Sequence, residues 1–120
     1  MAKTILIIDD DQEIIDLLTV RFRAQGYAVI QAKDARTGLV EIEKNTPNLV
    51  VLDIMLPDID GTKLCQMLKD DQRYQDLPII IISGKKIEWI QTFLNKVRAN
   101  AFFEKPFAAE ELLKEVHRLI

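Results

Sequence analysis

The sequence is short of the residues that would make it a stapled, metal-clustered or His-relay protein. Its one cysteine, Cys65, excludes an intramolecular disulfide framework and a cysteine-rich zinc site. Its one histidine, His117, excludes a two-histidine metal site and most His-relay chemistry. No apolar run exceeds four residues, Ile79–Ile82 among them, so none can span a bilayer, and no secretory core follows Met1. A basic excess is also missing, since 16 Lys+Arg against 19 Asp+Glu leave a net charge of −3. That balance argues against direct nucleic-acid binding and against a polybasic membrane anchor. What remains is 120 residues, 48% of them hydrophobic, enough for a real core without staples. One cytoplasmic domain, residues 1–120, is the expectation.

Two kinds of segment alternate along the chain, with no repeat or Pro/Gly/Ser-rich linker between them. β-Branched apolar runs at Thr4–Ile8, Ala28–Gln31, Leu49–Leu52, Ile79–Ile82 and, more weakly, Ala101–Phe103 lack polar alternation. Strands buried on both faces of a parallel sheet read this way. Between them run stripes at helical spacing: Ile14, Leu17, Leu18 and Phe22, stopped by Gly26; then Ala35, Leu39 and Ile42, bounded by Pro47. Leu64, Met67 and Leu68 make a third stripe, Ile87, Ile90, Leu94 and Val97 a fourth, and Leu112, Leu113, Val116 and Leu119 a fifth. Strands and helices in strict alternation predict an α/β fold, an open parallel sheet covered on both faces by helices. Such a sheet carries its site at the carboxyl ends of its strands.

Those ends carry an unusual set of polar groups. Strand one runs into Asp9, Asp10 and Asp11, strand three into Asp53, strand four into Ser83, and strand five toward Lys105-Pro106. Asp11 reads as the N-cap of the first helix, with Glu13 supporting its first turn. A helix start needs one cap, so Asp9 and Asp10 require another account. With Asp53 they would repel unless a cation neutralises them, and hard oxygen ligands suit Mg²⁺. An aspartate fixed at a strand end and partly desolvated suits a nucleophilic carboxylate. Attack on phosphorus needs a cation on the phosphoryl oxygens and a hydroxyl donor, roles open to Lys105 and Ser83.

At this point the sequence resembles the receiver domain of two-component response regulators over its whole length. The likeness rests on Ile-Leu-Ile-Ile-Asp-Asp-Asp at 5–11 and Val-Val-Leu-Asp-Ile-Met-Leu-Pro-Asp-Ile-Asp-Gly at 50–61. It rests equally on Pro-Ile-Ile-Ile-Ile-Ser-Gly at 78–84 and Phe-Phe-Glu-Lys-Pro-Phe at 102–107. The resemblance implies a flavodoxin-like doubly wound (βα)5 fold with strand order 2-1-3-4-5. It implies that Asp53 accepts a phosphoryl group from a sensor histidine kinase or His-phosphotransfer protein. Asp10, Asp53 and the Met55 backbone carbonyl would hold Mg²⁺ directly, and Asp9 largely through water. Ser83 and Lys105 would contact the phosphoryl oxygens, with Phe102 as the aromatic switch residue and Lys105-Pro106 in the cis form. The output would be a face of the fourth helix, fifth strand and fifth helix, used for self-association or a downstream protein. Such a module is not an enzyme beyond its own phosphorylation and dephosphorylation.

Two departures from the family pattern stand out. Ser83 is followed by Gly84 and Lys85, and Arg98 fills a slot where glycine usually closes the fourth helix. Arginine is costlier there if the backbone is left-handed. Met55 and Lys85 flank the path of attacking water in the family, and neither orients water, so a long-lived acyl phosphate is expected. Trp89 is an even match for a partner contact or core, Phe93 for core. His117 reads as surface, Cys65 as structural, and Lys85-Lys86 as a solvated pair. A haloacid-dehalogenase-type phosphatase would want Asp-x-Asp at the first strand, whereas Asp53 is followed by Ile54-Met55. An FMN carrier on the same fold is rejected because three acids at the first turn would repel its phosphate.

Overall fold

The computed structural model describes residues 2–84 and 98–120. Their elements run β1 (Thr4–Ile8), α1 (Gln12–Ala24), β2 (Ala28–Ala32), α2 (Ala35–Asn45), β3 (Leu49–Asp53), α3 (Gly61–Asp70), β4 (Ile79–Ser83), β5 (Ala101–Glu104) and α4 (Ala109–Leu119). The fourth apolar stripe, with Trp89, Phe93, Lys85 and Lys86, lies outside the described residues. The helix α4 is therefore the one expected from the fifth stripe.

The strands form one parallel sheet in the order β2-β1-β3-β4-β5. The three central strands β1, β3 and β4 are buried almost end to end, which their unbroken Ile/Leu/Val runs require. Each strand sends alternate side chains to opposite faces. Leu6, Ile8, Val50, Leu52, Ile79 and Ile81 join one core with α2 and α3. Ile5, Ile7, Leu49, Val51, Ile80 and Ile82 join a second core with α1 and α4. Each fully buried Leu, Ile or Phe contributes roughly 1.5–3 kcal/mol of transfer free energy.

Two helical stripes are rotated from their expected positions. In α1 the buried set is Ile15, Leu18, Thr19 and Phe22, while Leu17 is 43% exposed. In α3 it includes Leu64, Cys65 and Leu68, while Met67 is 47% exposed. Both helices carry apolar doublets (Ile14-Ile15 and Leu17-Leu18, Leu64-Cys65 and Met67-Leu68), so two adjacent stripes are almost equally apolar. The spacing i, i+3, i+4, i+7 selects one only when the sheet faces it. The expected stops hold: α1 ends before Gly26 at φ 89°, and α2 ends at Thr46, φ 42°, before Pro47. Arg98, where the resemblance implied a glycine, does take a left-handed backbone at φ 56° and pairs with Asp70.

Candidate functional site

β1 delivers Asp9 as the first residue past the strand, held by its amide to the Ala32 carbonyl at 3.0 Å. Its carboxylate is fully buried. One oxygen accepts from the Asp11 amide at 2.9 Å and the other from Lys105 Nζ at 2.9 Å. Asp10, the next residue out, is exposed. Asp11 caps α1 as expected, accepting from the Glu13 amide at 3.0 Å.

Asp53 is the last residue of β3 rather than a loop residue, and it is only 3% exposed. Helix α3 starts directly against its backbone: a Cβ on Gly61 would lie 2.1 Å from the Asp53 carbonyl oxygen. Only glycine permits that approach, and the Gly61 amide uses it to donate to the Ile54 carbonyl at 2.8 Å. Asp60 caps the helix by accepting from the Thr62 amide at 2.8 Å.

From the other side of the rim come β4 and β5. Ser83 ends β4 fully buried, and its carbonyl accepts from the Lys105 amide at 2.6 Å. The Lys105–Pro106 bond is cis, as the resemblance implied. Lys105 Nζ stands 2.9 Å from Asp9 and 3.6 Å from Asp53. Part of the repulsion that the sequence assigned to a bound metal is thus relieved by the chain's own ammonium. Phe102, half-buried on β5, packs against the core formed with α2 and α3.

The electrostatics single out Asp53. Burial, then the charge of Asp9, raise its pKa from 3.8 to about 6, against the lowering pull of Lys105 and the Met55 amide. For Lys105, burial opposes the ammonium, but the Asp9 hydrogen bond and the charges of Asp53, Asp9 and Asp11 outweigh it and raise the pKa. Among the described residues, Asp53 Oδ1 is the buried side-chain oxygen without a hydrogen-bond partner. An ionised oxygen kept dry and unpaired calls for a ligand. Asp9, Asp10 and Asp53 each bring one carboxylate oxygen within 4.8 Å of the others. This all-oxygen donor set fits a hard divalent cation such as Mg²⁺. Beside it an open cleft of about 350 Å³ is lined by Asp10, Ile54, Met55, Leu56, Pro57 and Asp60.

The structure thus brings Asp9, Asp10, Asp53, Ser83 and Lys105 to one rim, with Met55 exposed on the adjoining loop. His117 is exposed and its Nδ1 meets the Tyr27 hydroxyl at 2.6 Å, away from this rim. Burial pushes the Cys65 thiol up to about 11, in keeping with a structural role. Three contributors escaped the sequence reading. Asp60-Gly61 before an apolar stripe is a helix-start signal that marks them both. Asp58 bonds amides more than twenty residues away, and no local pattern announces that.

Residues 5–117 match the family model for the response regulator receiver domain. The chain is 39% identical over 118 residues to the DNA-binding dual master transcriptional regulator RpaA of Synechocystis, covering 97% of this chain and 48% of that protein. It is 33% identical over 120 residues to the alkaline phosphatase synthesis regulator PhoP of Bacillus subtilis, covering 100% of this chain and 49% of that protein. The chain therefore spans about half the length of the curated relatives it matches. Among solved structures, a CheY-like receiver domain protein from Methanospirillum hungatei superposes with TM-score 0.90 at 32% identity, covering 99% of this chain and 94% of that one. The BeF3-activated DrrB receiver domain superposes with TM-score 0.88 at 26% identity, covering 99% and 97%. Fold, rim and relatives agree, and the chain belongs to the response regulator receiver domain family.

Proposed function

We propose that residues 1–120 act as one phosphoacceptor unit in which Asp53 takes a phosphoryl group from a histidine kinase or His-phosphotransfer protein. The observation that carries this reading is the buried Asp53 carboxylate, with Oδ1 unpaired and Lys105 Nζ 3.6 Å from its other oxygen. Such an oxygen has no hydrogen bond to give up before it bonds to an electrophile that enters the rim. In the transfer, an Asp53 oxygen forms a bond to phosphorus while the P–N bond of the phosphohistidine breaks. The imidazole keeps that electron pair and takes a proton from solvent. Lys105, already drawn between Asp9 and Asp53, is within reach of the new phosphoryl oxygens, and the Ser83 hydroxyl supplies a donor from β4. Asp10, Asp53 and the Met55 carbonyl would hold Mg²⁺, with Asp9 acting through water. Bound there, the cation neutralises the carboxylates and the charge that develops on the phosphoryl group.

The added charge then draws Ser83 inward, which frees space for Phe102 behind β4. Receiver domains are signalling modules, so the product of this chemistry is a changed surface. Its readers would be a second copy or a downstream protein at the face of β5 and α4, not a nucleic acid or a membrane. Among the described residues no helix is long and apolar enough to cross a membrane. The test is incubation with acetyl phosphate and Mg²⁺, read by intact mass. A gain of about 80 Da, the mass of one phosphoryl group, is expected in the wild type and absent in Asp53→Asn. Labelling of Asp53→Asn at the wild-type rate and stoichiometry contradicts the assignment.

A further inference from the structure

The loop between β3 and α3 carries Met55 past Asp53, and its course is set by contacts at two points. Gly61 pins its far end against the Asp53 carbonyl. The second contact is made by Asp58, an exposed residue with no part in the cleft lining. Its two carboxylate oxygens accept from the Ala35 amide at 2.9 Å and the Arg36 amide at 2.9 Å. One of them also accepts from the Ile59 amide at 2.9 Å. Ala35 and Arg36 open α2, so Asp58 satisfies two orphan donors at that helix start from a distant loop.

Helix α2 does not need Asp58 for an N-cap. Asp34 already caps it, accepting from the Thr37 amide at 2.7 Å. Nor is α2 a loose anchor, because a Cβ on Gly38 would sit 2.4 Å from Ile8 Cδ1, at the end of the strand that delivers Asp9. The chain thus runs Asp9 – β1 – α2 – Asp58 – loop – Met55 – Asp53, a closed circuit around the carboxylates.

We infer that Asp58 is a positioning residue: it clasps the β3–α3 loop to α2 and so fixes the Met55 segment against the cation seat. This deepens the proposed function and rests on that reading of the seat. Support one step removed from the ligands commonly changes metal affinity by about 10–100-fold, although it never touches the metal.

Calorimetric titration of the full chain with Mg²⁺, compared across three proteins, tests the clasp. Asp58→Ala should weaken Mg²⁺ binding about tenfold and speed amide exchange at Ala35 and Arg36. Asp58→Asn, which keeps one acceptor oxygen, should fall between it and the wild type. Asp34→Ala removes the ordinary cap of the same helix, so it should lower the melting temperature yet hold Mg²⁺ affinity within about twofold of wild type, since a cap acts only locally on its helix. Unchanged Mg²⁺ affinity in Asp58→Ala overturns the clasp, and so does an equal loss in Asp34→Ala, which would make the effect one of helix stability. A wild-type chain that does not bind Mg²⁺ at all overturns the proposed function first and the clasp with it, whereas the other failures leave that reading standing.

Discussion

Two buried charges sit at opposite ends of the sheet and are treated in opposite ways. At the amino end, Lys69 of α3 is 6% exposed, and its ammonium donates to Leu77 O at 2.7 Å, Asn100 Oδ1 at 3.0 Å and Gln75 O at 3.4 Å. The same Asn100 oxygen accepts from the Ile79 amide at 2.9 Å, so the latch ties α3 to both strands that follow it. Burial lowers the Lys69 pKa, but every proton has an acceptor. At the carboxyl end, Asp53 is as deeply buried and one of its oxygens has no hydrogen-bond partner. A satisfied buried ion holds a fold together, while an incompletely satisfied one carries a cost that a ligand can offset.

The largest effect should come from the satisfied charge. Lys69→Met keeps the stem and removes the donors to the Leu77 and Gln75 carbonyls, and should lower unfolding free energy by about 3 kcal/mol in urea. A loss below about 0.5 kcal/mol, the size of an ordinary surface change, would erase the contrast.

Asp53→Asn should act in the reverse direction. In chelator at pH 7.5 it should stabilise the chain by on the order of 2 kcal/mol, because it removes an ionised group whose folded pKa is raised from 3.8 to about 6. Between those values the folded wild type binds more protons than the unfolded chain. Its metal-free stability therefore falls as pH rises through that window, and the advantage of the variant fades as pH drops toward about 4. Denaturation midpoints at several pH values read both the sign and the window.

Met55→Asn places a water-orienting amide on the exposed lip of the cleft. It should shorten the life of the acyl phosphate about tenfold, measured by loss of the added mass after the phosphodonor is removed. The smallest effect is expected beside the Lys69 latch. Arg98→Gly relieves a left-handed backbone at φ 56° and forfeits only an exposed ion pair with Asp70. A gain of about 1 kcal/mol is expected, and a loss would mean that the pair with Asp70 outweighs the strain.

The two ends also differed in how far the sequence announced them. The rim was legible because strand runs ending in Asp, Asp, Ser and Lys carry their own register, and a parallel sheet must gather those ends. The Lys69 latch was not, since a lysine in the last turn of α3 reads as a solvated partner of the helix C-terminus. Its burial is set by the turn at Arg98–Asn100, about thirty residues on. Lys105 follows β5 in the sequence and so falls near the rim, but its hydrogen bond to Asp9 depends on a side-chain course that spacing does not encode. The swaps of Leu17 for Ile15 and Met67 for Cys65 have one origin, apolar doublets that leave the helix phase to the sheet. Asp58 was hidden for the same reason as Lys69, because its partners are distant in sequence.

If Asp9, Asp10 and Asp53 together form a cation seat, the stability of the chain must respond to Mg²⁺ through Asp53. Unfolding of the wild type and of Asp53→Asn should be followed at pH 7.5, first in chelator and then over a Mg²⁺ series. Asp53→Asn should start as the more stable protein, Mg²⁺ should raise the wild type toward or past it, and the variant should respond weakly. Parallel responses to Mg²⁺ in the two proteins, or a less stable Asp53→Asn in chelator, would contradict such a seat.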